Sequence, residues 1–120
     1  MPAVDIADET YIARLPAVLA PEVADPAAWA RWWPDLKVEV IRDRGDKGVQ
    51  WAVSGALTGS MEIWLEPVGE GTVLHWFLRA DPPASRPPRR AGRDRERRVR
   101  TWKSHAFALK DRLEGAERVT

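Results

Sequence analysis

His75 and His105 are the two side chains of this sequence that titrate near neutral pH, and thirty residues separate them. His75 is the first candidate for general acid–base chemistry, and the charged side chains of Arg79 and Asp81 follow it in the same segment. We name His75, Arg79 and Asp81 as candidate catalytic residues. No serine–carboxylate arrangement accompanies the histidines, so a hydrolytic triad is not indicated. A structural role for both histidines is the alternative.

The residue types of this sequence do not indicate a metal or cofactor site. The sequence contains no cysteine, which excludes disulfides, zinc–thiolate sites, iron–sulfur clusters and thiol nucleophiles. Glu62 and Glu66 are four residues apart on a predicted strand, about 13 Å along it. Paired catalytic carboxylates are about 5–9.5 Å apart, so this spacing is too long. The glycines form no phosphate-binding pattern. We therefore expect neither a metal nor a cofactor.

A basic block occupies residues 86–103, where nine Arg and Lys residues and two acids give a local charge of +7 in a chain of net charge +1. Its first part, 86–93, is a Pro/Arg-rich connection into a predicted helix. Arg89, Arg90 and Arg93 lie near the start of that helix, where the helix dipole disfavours cations, so we expect them to bind an acidic partner. A solvated surface is the alternative. Nucleic acid is not expected, because few aromatic residues are interleaved with the arginines.

Seven of the 120 residues are tryptophan. Tryptophan has a wide apolar face and one N–H donor, and it suits the walls of binding cavities as well as cores. Trp29, Trp32 and Trp33 fall within five residues of one another. They could cover the mouth of a pocket or seal a short helix onto a sheet.

The elements that must position these side chains follow from the apolar periodicity. Asp25 and Pro26 are typical of a helix start, and Pro34 ends the same helix. Alternation at period two, separated by glycine-containing turns, predicts an antiparallel meander. The predicted strands cover 4–12, 36–42, 49–57, 61–67 and 72–80, and the predicted helices cover 17–24, 26–33 and 93–114.

The turns define which side chains share a face of the sheet. A three-residue turn at 58–60 and a two-residue turn at 69–70 place the apolar side chains together on one face. The other face is mixed, and it receives His75 beside Trp64 and Phe77. This register favours a structural role for His75.

We expect the apolar face and the C-terminal helix to enclose a pocket for a ligand. A solid core is the alternative. The nine side chains predicted to line the pocket are Trp51, Val53, Met61, Ile63, Trp76, Leu78, Trp102, Ala106 and Leu109.

The chain has 120 residues and a mass of 13.5 kDa, which fits a single domain spanning 1–120. No apolar run reaches the roughly 18–20 residues that cross a bilayer. The first residues carry acids before any base and no continuous apolar stretch, so no secretory signal is expected. We expect a cytoplasmic protein without a transmembrane segment.

Several motifs resemble the polyketide cyclase/dehydrase-like members of the START-related superfamily, which have a helix-grip fold. The opening segment has Pro16, then Asp25-Pro26, then Trp29 close to Trp33-Pro34. The central hairpin resembles that of the family at Thr58-Gly59 and at Gly71-Thr72, and the apolar stripe of the last helix is also similar. This chain is shorter than typical members, which implies a smaller or more open cavity.

The resemblance implies an α+β helix-grip fold, in which about five antiparallel strands wrap around the long C-terminal helix and two short helices join strands 1 and 2. It also implies a small hydrophobic ligand, polyketide- or lipid-like, with cyclase or dehydratase activity as an open question. The second hypothesis is a non-enzymatic module that docks an acidic partner through its arginines. An unpaired sheet edge is compatible with a homodimer.

Overall fold

A computed structural model describes residues 2–84 and 90–118, with side chains over 2–84 and 92–115. The chain forms one sheet and three α-helices within these ranges, with a single 3₁₀ turn at Gly45–Lys47. The elements are β1 (Val4–Ile12), α1 (Pro16–Val23), α2 (Pro26–Trp32), β2 (Leu36–Asp43), β3 (Gly48–Gly55), β4 (Thr58–Val68), β5 (Gly71–Asp81) and α3 (Arg90–Arg118).

The five strands form an antiparallel sheet in the order β1-β5-β4-β3-β2. The first strand therefore pairs with the last, while β2 to β5 follow one another as a meander. Helix α3 packs on the apolar face, and the two short helices lie between β1 and β2 in the chain. The predicted helix-grip fold is confirmed.

Helix α2 is short and has a sequence signal at each end. The side chain of Asp25 accepts a hydrogen bond from the backbone N–H of Ala27 at 3.0 Å, and Pro26 begins the helix. The helix ends at Trp32. The backbone N–H of the C-cap residue Trp33 donates to the carbonyl of Trp29, and Pro34 follows. Trp29 and Trp32 therefore lie on this seven-residue helix, and Trp33 lies at its C-cap.

The turn between β3 and β4 differs from the prediction. Strand β4 begins at Thr58, so residues 58–60 belong to the strand and Trp51 faces Met61. The chain turns earlier, at Gly55, whose φ of +98° suits glycine. Because the register moves by an even number of residues, the predicted faces are unchanged. The predicted two-residue turn at 69–70 is correct, with Val68 opposite Gly71.

The apolar face of the sheet and one stripe of α3 form the core. Trp102, Ala106, Leu109 and Leu113 of α3 are buried, as the helical spacing predicted, and Val99 is half-buried against them. No helix in the described ranges combines the length and the apolar character that crossing a membrane requires.

Helix α3 also covers the free side of the edge strand β1. The Lys103 ammonium donates to the carbonyl of Glu9 at 2.6 Å, and the Lys110 ammonium donates to that of Tyr11 at 2.8 Å. Arg95 donates to the carbonyl of Asp5 at 3.1 Å. Three cations of the helix therefore satisfy carbonyls that would otherwise be open to another strand.

Candidate functional site

Six tryptophans from four elements meet under helix α3 and form what we call the tryptophan cluster. Trp33 is at its centre, with its ring centroid 5.3–6.4 Å from those of four other indoles. The cluster consists of Trp29, Trp32, Trp33, Trp51, Trp76 and Trp102. Trp32 and Trp33 are buried within it, and their rings join the end of the short helix to α3 and to the sheet.

Three rings of the cluster lie close to parallel. Trp76 and Trp102 stack with centroids 5.1 Å apart and planes at 28°. Trp33 lies at 15° to Trp102 and at 14° to Trp76, with centroids 5.8 and 6.4 Å away. The stack joins rings from β5, from α3 and from the end of α2.

These three rings border a cavity of about 200 Å³, which we call the tryptophan cavity. Helix α3 forms one side of it, and the segment between α2 and β2 forms the other. Its other lining residues are Trp32, Pro34, Asp35, Arg97, Arg98 and Thr101.

The indole N–H groups of Trp33, Trp76 and Trp102 are buried, and none has an acceptor within the described part of the chain. Trp29 differs, because its indole N–H donates to the carbonyl of Val23 at 2.7 Å. A buried donor without an acceptor costs about 1–3 kcal/mol. These three indoles therefore stay in the core for the packing of their rings, at the cost of their N–H groups.

Arg98 and Asp35 form a paired contact at the border of the cavity. The two terminal nitrogens of the guanidinium donate to the two carboxylate oxygens at 3.2 and 2.6 Å. The Arg98 side chain is only 11% exposed, and among the described residues no acceptor faces its Nε. Arg97, also at the border, reaches the Asp94 carboxylate at 3.4 Å.

All nine predicted pocket residues lie in the buried core. Trp76 and Trp102 border the tryptophan cavity, while the other seven lie outside its lining. Trp51, for example, packs edge-on against Trp29 and Trp33 on the far side of the cluster. The seven are Trp51, Val53, Met61, Ile63, Leu78, Ala106 and Leu109.

The mixed face of the sheet carries a larger open groove of about 550 Å³. Most of its polar side chains are paired. Arg79 lies 3.5 Å from the Asp5 carboxylate, and the Glu62 carboxylate accepts from Gln50 at 3.2 Å and from Arg44 at 3.3 Å. Four charged or amide side chains of the groove are therefore already engaged with one another or with Arg44.

The three candidate catalytic residues lie on this mixed face. His75 is buried between the rings of Trp64, 4.4 Å away, and Phe77, 5.9 Å away, and its Nε2 lies 3.0 Å from a Glu66 oxygen. Arg79 borders the groove as described.

Asp81 is exposed, and it accepts a hydrogen bond from the backbone of Ala3 at 2.8 Å. The sheet separates His75, Arg79 and Asp81 from the tryptophan cavity, since Trp76 points to the opposite face.

The remaining sequence candidates lie along α3. His105 is half-buried, and burial lowers its pKa, with the positive charge of Arg31 adding to the effect. Arg93 is exposed. Arg89 and the side chain of Arg90 lie outside the described residues, so the acidic-partner hypothesis stays a prediction.

Sequence reasoning missed the polar border of the cavity. Asp35 and Arg98 are 63 positions apart, and neither stood out from the charged residues around it. A weak signal existed: Asp35 directly follows the Trp33-Pro34 helix stop, and Arg98 lies four residues before Trp102, one helical turn away.

No protein-family model and no curated protein sequence matches this chain. Solved structures do match it in fold. Protein DR_A0006 from Deinococcus radiodurans has a TM-score of 0.70 at 12% identity, covering 94% of this chain and 99% of its own. The Aha1 dimer from Colwellia psychrerythraea has a TM-score of 0.65 at 16% identity, covering 92% and 96%.

The protein Mll3558 from Rhizobium loti is a third similar structure, with a TM-score of 0.63 at 15% identity, covering 88% of this chain and 95% of its own. Identities this low show a shared fold. Function must therefore be argued from the residues of this chain.

Proposed function

We propose that this protein binds a small, flat aromatic molecule in the tryptophan cavity. The observation that supports it is the set of three near-parallel buried indoles, Trp33, Trp76 and Trp102, that border one cavity. Offset stacking adds about 0.5–1.5 kcal/mol for each aromatic pair beyond the burial of apolar area. A flat ring gains this stabilisation against the indoles, whereas a branched or saturated molecule does not.

The size of the cavity limits the ligand. At about 200 Å³ it is smaller than the roughly 300–1,000 Å³ of pockets for drug-sized molecules. One or two fused rings fit this volume better than a long polyketide or a lipid does. The ligand class that the family resemblance implied therefore narrows to its smallest aromatic members.

Binding, and not catalysis, is the function that the geometry favours. Cyclisation or dehydration would need polar groups near the reacting atoms, and His75, Arg79 and Asp81 lie across the sheet from the cavity. Any turnover of a molecule in the tryptophan cavity would have to use the cavity's own side chains.

Naphthalene and decalin test the proposal, because they share a carbon skeleton and only naphthalene is flat. The readout is the set of seven indole N–H resonances in a nitrogen-15 correlation spectrum. We expect naphthalene to shift the resonances of Trp33, Trp76 and Trp102 and to leave that of Trp64, on the other face, in place.

Two variants complete the experiment. Trp102→Leu removes one wall and should abolish the naphthalene-dependent shifts, whereas Trp64→Leu should preserve them. Equal responses to naphthalene and decalin, or no shift near saturation, would refute the proposal.

A further inference from the structure

The solvent side of helix α3 carries a row of exposed side chains that the packing of the core does not explain. We call this row the α3 ridge, and its members, spaced 4-3-4-3, are Arg93, Arg97, Arg100, Ser104 and Phe107. We propose that the α3 ridge docks the protein onto the surface of an anionic lipid bilayer. This inference does not depend on a ligand in the tryptophan cavity.

The α3 ridge lies on the side of the helix that faces away from the sheet. Arg93 and Trp102 are nine residues apart, which is two and a half helical turns, so their side chains leave the helix in opposite directions. Trp102 is buried in the core, whereas all five ridge residues are exposed. From Arg93 to Phe107 the ridge is about 21 Å long.

The arginines of the ridge are poorly matched by the rest of the protein. Arg93 and Arg100 make no hydrogen bond or ion pair in the described part of the chain. Arg97 contacts the Asp94 carboxylate at 3.4 Å, but its side chain is 62% exposed, where ion pairs contribute little. Like charges three or four residues apart on a helix repel each other, and cations near a helix start are disfavoured. The fold alone therefore gives no reason for this row of cations.

The positive charge of this part of α3 exceeds the acids around it. Residues 92–101 contain five arginines against Asp94 and Glu96. Asp35 lies outside the helix and matches Arg98 through both of its carboxylate oxygens. Two positive charges remain after these three acids have been counted.

The charge of the whole sequence is divided in the same direction. The block 86–103 has a charge of +7 and the chain a net charge of +1, so the remaining residues carry −6. A molecule polarised in this way turns its basic side toward an anionic surface. The described part of that basic block is the first half of α3.

Phe107 gives the ridge a second property that a bilayer recognises. It is 50% exposed, and the Lys103 ammonium lies 5.4 Å from the centre of its ring. Phospholipid phosphates attract cations, and the boundary between headgroups and acyl chains takes up a large apolar side chain. Nucleic acids and acidic protein surfaces also attract arginines, but they offer no comparable medium to an exposed phenylalanine.

The shape of the ridge also favours a flat partner. Neither the tryptophan cavity nor the groove on the mixed face is bordered by Arg93, Arg100 or Phe107. These residues lie along the outer side of a helix, so they form a convex surface. A bilayer contacts such a surface along its length, whereas a protein partner would need a groove of matching length.

Co-sedimentation with lipid vesicles tests the proposal. One set of vesicles contains equal parts of phosphatidylglycerol and phosphatidylcholine, and the other contains phosphatidylcholine alone. We expect the protein to sediment with the anionic vesicles and not with the neutral ones. Added salt should weaken the binding, because it screens exposed charges.

A triple variant locates the contact on the protein. Arg93→Gln, Arg97→Gln and Arg100→Gln together should weaken binding to the anionic vesicles at least about ten-fold, since each cation near an anionic membrane contributes. The matched control is Lys37→Gln, Arg42→Gln and Lys47→Gln, which removes the same number of exposed cations near the other end of the sheet. This control should keep most of the binding.

Two single variants separate the charge of the ridge from its apolar residue. Glu96→Gln removes an exposed acid beside the ridge and should strengthen binding about two- to five-fold, a gain that loss of folding cannot produce. Glu70→Gln, in the exposed β4–β5 turn, is its control. Phe107→Ser should weaken binding several-fold, whereas Ile41→Ser, at another exposed apolar position, should not.

Three results would overturn the inference. The first is the absence of binding to the anionic vesicles at low salt, even if the protein binds duplex DNA or polyglutamate. The second is equal vesicle binding by the triple ridge variant and the wild type. The third is a Phe107→Ser variant that binds as tightly as the wild type, because the reason for preferring a bilayer to a hydrophilic polyanion would then be lost.

Discussion

At the scale of single residues, the position of Trp33 decides most of the site. It caps helix α2, contacts four other indoles and borders the cavity. Its indole N–H has no acceptor among the described residues. One side chain thus links a helix end, the core and the candidate binding surface. The sequence indicated the helix stop at Trp33-Pro34, but the ring contacts depend on residues more than 40 positions away, such as Trp76, and so escaped local pattern analysis.

A second residue-scale contact joins α1 to α3 and has a consequence for acid stability. The Arg112 guanidinium donates to both oxygens of Glu22 at 3.0 Å, and this hydrogen bonding lowers the pKa of that carboxyl. A carboxyl with a depressed pKa in the folded state stabilises the fold above its usual pKa. The stabilisation disappears as the pH falls through the folded-state value.

Glu22→Gln should therefore lower the free energy of unfolding near neutral pH by no more than ~1 kcal/mol, since the pair is partly exposed. Once the pH lies below the lowered folded-state pKa of Glu22, the variant and the wild type should unfold alike. Urea titrations at several pH values measure the difference, with Glu70→Gln in the exposed β4–β5 turn as the control. A difference that is constant with pH would contradict the ion-pair account.

At the scale of elements, the glycines at the ends of strands determine where the chain turns, which the apolar periodicity does not show. Both Gly55 and Gly59 could mark the β3–β4 turn in the sequence, and only their surroundings distinguish them. Gly55 has φ of +98° and ends β3, whereas Gly59 lies inside β4, where a side chain would collide with the backbone of Arg79 and Ala80. The strands were predictable from alternation, but this register was not.

Gly48 gives a test at the element scale. It begins β3 with φ of +117°, and a Cβ there would collide with the carbonyl oxygen of Ile63 on β4. Gly69, in the β4–β5 turn, has φ of +58° and no atom within 4 Å of the corresponding Cβ position.

Gly69→Ala should cost about 1–2 kcal/mol, the cost of the left-handed backbone conformation alone. Gly48→Ala should cost more, because the collision with β4 adds to it. Denaturant unfolding measures both free energies. Equal losses would mean that β3 and β4 separate easily enough to accept the methyl group.

At the scale of the whole molecule, the architecture was the most predictable property. The alternation of apolar and polar residues predicted the strands, and the 3-4-3-4 spacing of apolar residues from Val99 to Leu113 predicted how α3 packs. The apolar side chains of these elements lie on the expected faces. The cavity was not predictable in the same way. It depends on how the rings of the tryptophan cluster pack together and on the contact of Asp35 with Arg98. Neither follows from the spacing of residues in the sequence.

The lysines of α3 provide the whole-molecule prediction. Lys103 and Lys110 tie the last helix to the first strand through the carbonyls of Glu9 and Tyr11. The double variant Lys103→Met, Lys110→Met keeps the apolar stems and removes both ammonium groups.

We expect this variant to lose ~1–3 kcal/mol of unfolding free energy and to exchange the backbone amides of β1 faster. Lys37→Met together with Lys47→Met, at two exposed positions, should leave both quantities within experimental error. Unchanged amide exchange in the α3 variant would show that apolar packing alone holds β1 in place.

The covered edge of β1 also limits how many neighbours one molecule can have. Of the two edge strands, β2 pairs only with β3 among the described elements, while the outer carbonyls of β1 already bind cations of α3. A molecule with one unpaired edge strand can pair with one neighbour through its sheet. Two copies that join β2 to β2 about a two-fold axis would bury both open edges, and a third copy would have to add at β1, where the carbonyls of Asp5, Glu9 and Tyr11 already bind cations of α3.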